Sequence, residues 1–410
     1  MKTSLLAFCL LTSSVFADPF TVQSLIQKAL ATHPELRYYE AQVDAAKGGK
    51  IKAGEIKNPD LMTGVGNWRV RDLATNDLTD GPTWAVQLTQ TFEWPGRLSL
   101  RKAIAQKDIE LAELGLEQFR AALAARVKNL SWTILAAQEK TRAADEVATR
   151  YKSLADVLLQ RDPAGVAPKL EARIVQANAL NLSAAATAAR NELAEARFEL
   201  NQLLGEKAEN PLEIRVEPLT LNPPPKLEAL MVEARKKNFG LRARILDVQQ
   251  QGFEVKLAEN ERWPTISVVP YIQRQQSSTR ETQVGIGVSI PLPLWNRNKG
   301  AIETAKAREV QAEVMLTAQM RQLEREVAAE ASHYRIHVEE LAKWPADTLE
   351  SFRKAAAEAD EHFRLGALPL STYTELQQQY IDSVSAVLAS QVAAVEARLQ
   401  LEQLTGTKLQ

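Results

Sequence analysis

Cysteine is nearly absent from this chain: among 410 residues there is only Cys9. That excludes a disulfide framework and any thiol-based metal site or nucleophile in the body of the protein. Net charge is equally scarce, at −1 from 50 basic and 51 acidic residues. No basic patch with interleaved aromatics and no zinc-finger spacing is present, so nucleic acid is set aside as a partner. The signatures G-x-S-x-G and H-E-x-x-H are missing too, which opposes a secreted hydrolase. After the first dozen residues no run of about 20 apolar residues occurs, so no membrane-spanning helix is expected. Gly and Pro number only 17 and 18. Few interruptions remain for segments rich in Ala, Leu, Glu, Gln and Arg, the mix of long helices and coiled coil.

What is present begins with a leader. Lys2 precedes an apolar run from Leu5 to Leu11, and Val15, Phe16, Ala17 form a small-x-small cleavage site before Asp18, so residues 1–17 read as a secretory signal peptide. Phe8 before Cys9 is too large for lipid attachment, and Cys9 is expected to leave with the peptide.

The stretch Thr282 to Gly300 organises the rest. Val284, Ile286, Val288 and Ile290 alternate with Gln283, Gly285, Gly287 and Ser289, the period of a strand with one apolar and one small, polar face. Pro291 and Pro293 end it, Trp295 follows, and Asn296 opens a long helical pattern. Thr83 to Arg97 has the same plan, with Trp84, Val86, Leu88 and Phe92 on one face before Trp94, Pro95, Gly96. Leu61 to Val70, with Met62, Gly64, Gly66, Trp68 and Val70 on one face, and Thr265 to Gln273 complete the strand candidates, and Arg71 to Pro82 reads as a polar loop.

The resemblance between the two strands extends along the chain. Leu36, Val43, Ala53 and Pro59 fall on Leu241, Val248, Ala258 and Pro264 at an offset of 205, and Arg97, Ala105, Ala112, Glu113 and Val127 on Arg297, Ala305, Ala312, Glu313 and Val327 at 200. Gly165 and Gly205 fall on Gly366 and Gly406 at 201. The chain therefore reads as two copies of one plan, 18–205 and 226–410, joined by a linker at 206–225 with one short strand around Leu212 to Val216.

Each copy predicts a short helix, a second helix, a β-hairpin and a long helical hairpin. Leu116, Phe119, Leu123, Val127, Leu130, Ile134 and Ala137 make a narrow seam, so a helix is expected from about Leu98 to Gln160. A turn at Arg161 to Gly165 precedes the return helix Lys169 to Leu204. In the second copy Leu316, Met320, Leu323, Val327, Ala331, Tyr334, Val338 and Leu341 form the outgoing seam, and Val384, Leu388, Val392, Val395 and Leu399 the return. Pro345 is expected to kink or break the outgoing helix.

Four strands cannot close, and in lipid an open sheet edge leaves backbone groups unpaired at several kcal/mol each. Three copies give about twelve strands around a lumen, which suits the small, polar face better than eight strands with a filled interior. The fold class expected is mainly α with a small β part: long helical hairpins plus four strands per chain contributing to a trimeric, twelve-stranded transmembrane barrel.

Signal peptide, doubled plan, strand hairpin, long helix, glycine-bearing turn and return helix together resemble the TolC family of outer-membrane efflux ducts across essentially the whole mature chain. Asn58, Pro59, Asp60, Leu61 and the run Pro291 to Gly300 look more particularly like its heavy-metal (CzcC-like) branch. The resemblance implies a homotrimer in outer-membrane lipid with helices in the periplasm, meeting a periplasmic adaptor and an inner-membrane pump of the RND type. It implies export of substrates, heavy-metal cations among them, with no catalysis and no cofactor. A periplasmic adaptor is the rival reading, but an adaptor has one helical hairpin between a lipoyl-like and a β-barrel domain, not two matched copies.

By position the resemblance places adaptor contacts at Gly165 and at Arg364, Leu365, Gly366, where Asp162 and Pro163 depart from the usual first turn. It places a periplasmic gate of carboxylates at Glu171 and Glu375, with Thr372 where an acid is often found. Three symmetry-related carboxylates at a narrow pore attract cations and repel one another. The bland alternatives are a turn glycine needed for its backbone and a solvated helix face. Trp84, Trp94, Trp263 and Trp295 read as interfacial aromatics. His333 and His337, four apart, lack a third ligand at fixed spacing, so no metal site is assigned.

Overall fold

The computed structural model describes residues 20–160, 166–215, 219–276, 279–345 and 347–409. The expected signal peptide with Cys9, and Gly165 of the first turn, lie outside the described residues, as does the side chain of Glu171.

Helix α1 (Val22–Thr32) starts where Thr21 Oγ1 accepts from the Ser24 N–H, and α2 (Pro34–Ala53) has its proline in the first turn, where no donor is needed. Strands β1 (Asp60–Arg71) and β2 (Leu78–Phe92) lead into α3 (Arg97–Gln160) and α4 (Val166–Leu203). At 64 residues α3 is roughly 95 Å long. The second copy runs α5 (Leu227–Lys237), α6 (Phe239–Asn260), β3 (Ile266–Gln276), β4 (Arg280–Ser289), α7 (Lys299–Leu341), α8 (Thr348–Arg364) and α9 (Leu370–Thr405). Its outgoing rod is split at Ala342 to Asp347, around Pro345, whereas the first copy's is continuous.

The helical core is built twice. In one cluster Leu25, Ala29, Leu36, Leu123, Val127, Ile134, Ala196 and Leu200 pack together. In a second, Leu230, Ala234, Leu241, Leu323, Val327, Tyr334, Ala397 and Leu401 do the same, position for position at the offsets read from the sequence. The match of buried residues, rather than of composition, shows that one packing solution serves both copies. The linker is anchored to both clusters: Leu212 and Ile214 are buried in the first, and Asn222 accepts from Tyr334 Oη at 2.8 Å in the second. Its expected strand is one bridge, Phe20 to Ile214. A third cluster, around Tyr151, Tyr373 and Tyr380, joins α3, α4, α8 and α9 toward the turns.

The four strands form one antiparallel sheet in the order β1-β2-β3-β4. Both hairpins exceed their expected bounds. Leu78 to Pro82, expected as loop, belongs to β2 because Asp72 Oδ1 closes a shorter turn on the Ala74 N–H at 2.8 Å and Asn76 adopts a left-handed φ of 59°. Helix α2 ends at Ala53 with Gly54 as its cap, and α7 starts at Lys299 rather than Asn296.

Candidate channel wall, elbows and mouth

Register assigns each strand residue to a face. Opposite partners share a face, so the pairs Thr63 to Val86, Val86 to Ile272 and Ile272 to Val284 define one side. That side carries Leu61, Val65, Trp84, Leu88, Phe92, Ile266, Val268, Ile286 and Val288, a mainly apolar surface interrupted by Thr63 and Gln90 and edged by Arg274 and Thr282 in the row of Trp84. The other side carries Gly64, Thr83, Ala85, Gln87, Thr89, Thr91, Ser267, Gln273, Gln283, Gly285 and Gly287. On it Tyr271 lies over its partner Gly285, where an added Cβ would stand 2.7 Å from the ring. The apolar side is bounded at one end by Asn67, Arg69 and Asp80, with Arg69 and Asp80 paired at 3.7 Å. The nine residues of β2 from Trp84 to Phe92 therefore span an apolar band of about 25 Å along the strand, close to the height a barrel shows to lipid. Strands β1 and β4 are the two edges, each paired on one side only.

Below the band the chain passes through two elbows. At the first, Trp94 lies beyond the end of β2 and stacks on Trp263 with ring centroids 5.1 Å apart. Arg97, 8% exposed, donates from Nε to Asn260 Oδ1 at 3.1 Å and from Nη2 to the carbonyls of Asn260 at 3.2 Å and Trp263 at 2.7 Å. Asn260 returns a bond to the Pro95 carbonyl at 3.0 Å. One guanidinium thus locks the exit of β2 to the entrance of β3, with charge-assisted bonds that satisfy three acceptors at once. At the second elbow Leu292, Leu294 and Trp295 are bare, Trp295 at 94% exposed. Of the four expected interfacial aromatics, two therefore pack on each other at the first elbow, while Trp84 alone lies on the apolar strand face.

At the opposite end the helices meet the turn Leu365, Gly366, Ala367, where Gly366 has φ 74° and closes α8. Leu365 projects bare into solvent, and Arg364 pairs with Asp360 at 2.9 Å. Asp360 also accepts from Tyr373 Oη at 3.0 Å, and Tyr373 stacks between Phe363 and Tyr151. Burial, reinforced by the Asp360 charge, pushes the Tyr373 hydroxyl far above its ordinary range, so it remains a donor at every working pH. Gln377, fully buried, donates to the Ala356 carbonyl at 2.6 Å and accepts from Arg150 Nη1 at 3.2 Å, tying α3, α8 and α9 together. Glu375 is exposed and accepts from Gln379 at 3.2 Å, while Thr372 is half-buried one position before Tyr373. His333 is exposed and His337 half-buried, and no group of three metal-ligating side chains exists among the described residues. Arg97 and Gln377 were not singled out from the sequence. The signals were there: an arginine repeated at offset 200, and a glutamine on the apolar seam of α9.

A sheet that is a sector of a wall, mounted on helical rods two to three times its height, defines a subunit of a β-barrel channel continued by an α-helical tunnel. The chain belongs to the outer membrane efflux protein family, whose profile matches residues 25–206 and 230–407. It is 28% identical over 294 residues to the cobalt-zinc-cadmium resistance protein CzcC of Cupriavidus metallidurans, a match covering 70% of this chain and 66% of that protein. The transmembrane channel protein CusC has the same fold, with a TM-score of 0.72 at 15% identity over 94% of this chain and 92% of its own. So does the Campylobacter jejuni outer membrane channel CmeC, at 0.72 and 13% over 94% and 85%. CusC and CmeC are channels whose fold this chain shares, and its family is one of efflux proteins rather than enzymes.

Proposed function

We propose that three copies of this chain form the outer-membrane exit duct of a tripartite efflux system, carrying substrates from an inner-membrane pump of the RND type through a periplasmic adaptor to the outside. One observation carries the reading: a four-stranded sheet with an apolar face, a small polar face and two unpaired edges. Such a sheet is stable in lipid only when its edges are paired, and three copies supply twelve strands around a water-filled lumen. In this reading residues 1–17 are removed on secretion, 18–205 and 226–410 are the two copies, and 206–225 joins them. The two segments matched by the family profile support that division. Trp84, Trp94, Trp263 and Trp295 lie at the membrane borders, with the helices in the periplasm. Arg364, Leu365, Gly366 and the turn at Gly165 meet the adaptor, which the bare Leu365 favours. Glu375 and Glu171 ring the periplasmic mouth, and the exposure of Glu375 leaves its charge available to ions. Heavy-metal cations are the proposed cargo, supported by the match to a cobalt-zinc-cadmium resistance protein. The test is the mass of the purified protein in detergent together with its conductance in a planar bilayer. A trimer that conducts is the expected result, and a water-soluble monomer without pores would end the reading.

A further inference from the structure

The first elbow has a sequence mate that the folded chain leaves unfilled. Arg97 holds Asn260 and the Trp263 carbonyl, and the strands that follow and precede these residues, β2 and β3, are neighbours in the sheet. Two hundred residues after Arg97 stands Arg297, behind β4, and 205 residues before Asn260 and Trp263 stand Glu55 and Asn58, ahead of β1. In one chain β4 and β1 are opposite edges, so these two half-elbows never meet. Both are bare. Arg297 and Glu55 are exposed, and neither side chain has a hydrogen bond or ion pair among the described residues. Ile56 beside Glu55 and Leu292 and Leu294 beside Arg297 are uncovered as well. Because α7 begins only at Lys299, Arg297 sits on a non-helical segment and not in a helical first turn as Arg97 does.

Closing the wall sets β4 of one copy against β1 of the next and so recreates the surroundings of β2 and β3 between subunits. We infer that Arg297 of each subunit clasps the α2–β1 elbow of a second copy of this chain, through the Glu55 carboxylate and the Asn58 carbonyl, as Arg97 clasps Asn260 and Trp263 internally. The inference rests on the trimeric-duct reading. Charge complementarity supports it. The internal clasp faces a neutral Asn260, which the chain itself delivers, whereas the subunit clasp has a full negative charge opposite the guanidinium, which draws separately made copies into register. The uncovered apolar side chains flanking both partners are the surface such a contact would bury.

Charge reversal tests it on the full-length protein. Glu55→Arg and Arg297→Glu are each expected to lower the temperature at which the detergent-solubilised trimer dissociates by several degrees, and the double reversal to recover most of that loss. Independently, Glu55→Cys combined with Arg297→Cys is expected to give covalent dimers and trimers on a denaturing gel after treatment with a bis-maleimide of roughly 10 Å reach, the span of an arginine–glutamate pair that a disulfide is too short to bridge, since the only native cysteine is Cys9 in the leader. Single reversals without effect, a double reversal no better than the worse single, or an absent ladder, each in a protein that still assembles and conducts, would overturn the clasp and leave the duct standing. A wild-type monomer without conductance would instead overturn the duct.

Discussion

Alanine at Gly406 should damage the fold roughly twice as much as alanine at Gly366, although both glycines have positive φ, 62° and 74°. Forcing an L-residue into the left-handed region costs about 1–2 kcal/mol at either site. At Gly366 the cost ends there, because nothing lies within 4 Å of the added Cβ. At Gly406 that Cβ would stand 2.7 Å from Lys237 Cβ and 3.3 Å from the Lys237 carbonyl oxygen. Neither is a flexible tip: both are fixed to the last residue of α5, so α9 must move off α5, an overpacking penalty of about 1–3 kcal/mol more. Totals of about 2–5 kcal/mol at Gly406 against about 1–2 at Gly366 follow. The assay is urea unfolding of the helical region followed by far-UV circular dichroism, comparing midpoints at constant slope. Equal shifts, or a larger one at Gly366, would refute the steric reasoning. Gly366→Asn should be milder than Gly366→Ala, because asparagine tolerates the left-handed region better. Any loss of adaptor binding in the asparagine variant then reports on the turn's surface and not on its folding.

Arg97→Met leaves three acceptors at the first elbow unpaired and should cost about 3–5 kcal/mol, read as a lower melting temperature with a shifted tryptophan emission from the separated Trp94 and Trp263. An unchanged emission and melting point would refute the lock. Burial lowers the Lys128 ammonium below its ordinary value of 10.5, outweighing Glu402 at 3.8 Å. The unfolded lysine thus holds its proton more tightly, so this residue's contribution to stability should rise as pH climbs through the lowered value toward 10.5, against the loss that the raised hydroxyls of Tyr151, Tyr334, Tyr373 and Tyr380 impose as pH nears their ordinary 10.0. Lys128→Met should remove that contribution, so that the variant's denaturation midpoint falls more steeply than the parent's on the alkaline side, and parallel profiles would assign the slope elsewhere. Glu375→Gln should raise single-channel conductance or weaken cation preference in a planar bilayer, and identical traces would remove Glu375 from the gate.

Much of the architecture was legible because it is written twice. A lone seam such as Leu123, Val127, Leu130, Ile134 predicts a helix, but its echo at Leu323, Val327, Tyr334 predicts where that helix packs. The edge strand β1 was hard to read for a physical reason. Its apolar side gives way to Asn67 and Arg69 where the strand outruns the apolar band, and its other side carries Trp68 and Val70, so alternation is blurred on both faces. The strand bounds differ where polar residues pair beyond that band, since ladder bonds, not burial, hold Leu78 to Pro82. The stack of Trp94 on Trp263 was invisible because it joins residues 169 positions apart through a contact that periodicity does not encode. Gln377 shows the opposite limit. A polar residue on an apolar seam was plain to see, but its partners Arg150 and Ala356 come from two other helices.

The two unpaired borders of the sheet impose an order on the making of the pore. The rods satisfy their own backbones turn by turn and can ripen singly in water, but a fragment of wall has no resting place in oil. On the trimeric reading proposed above, encounter precedes insertion, and pores should appear with roughly the third power of subunit concentration while finished rods accumulate ahead of them.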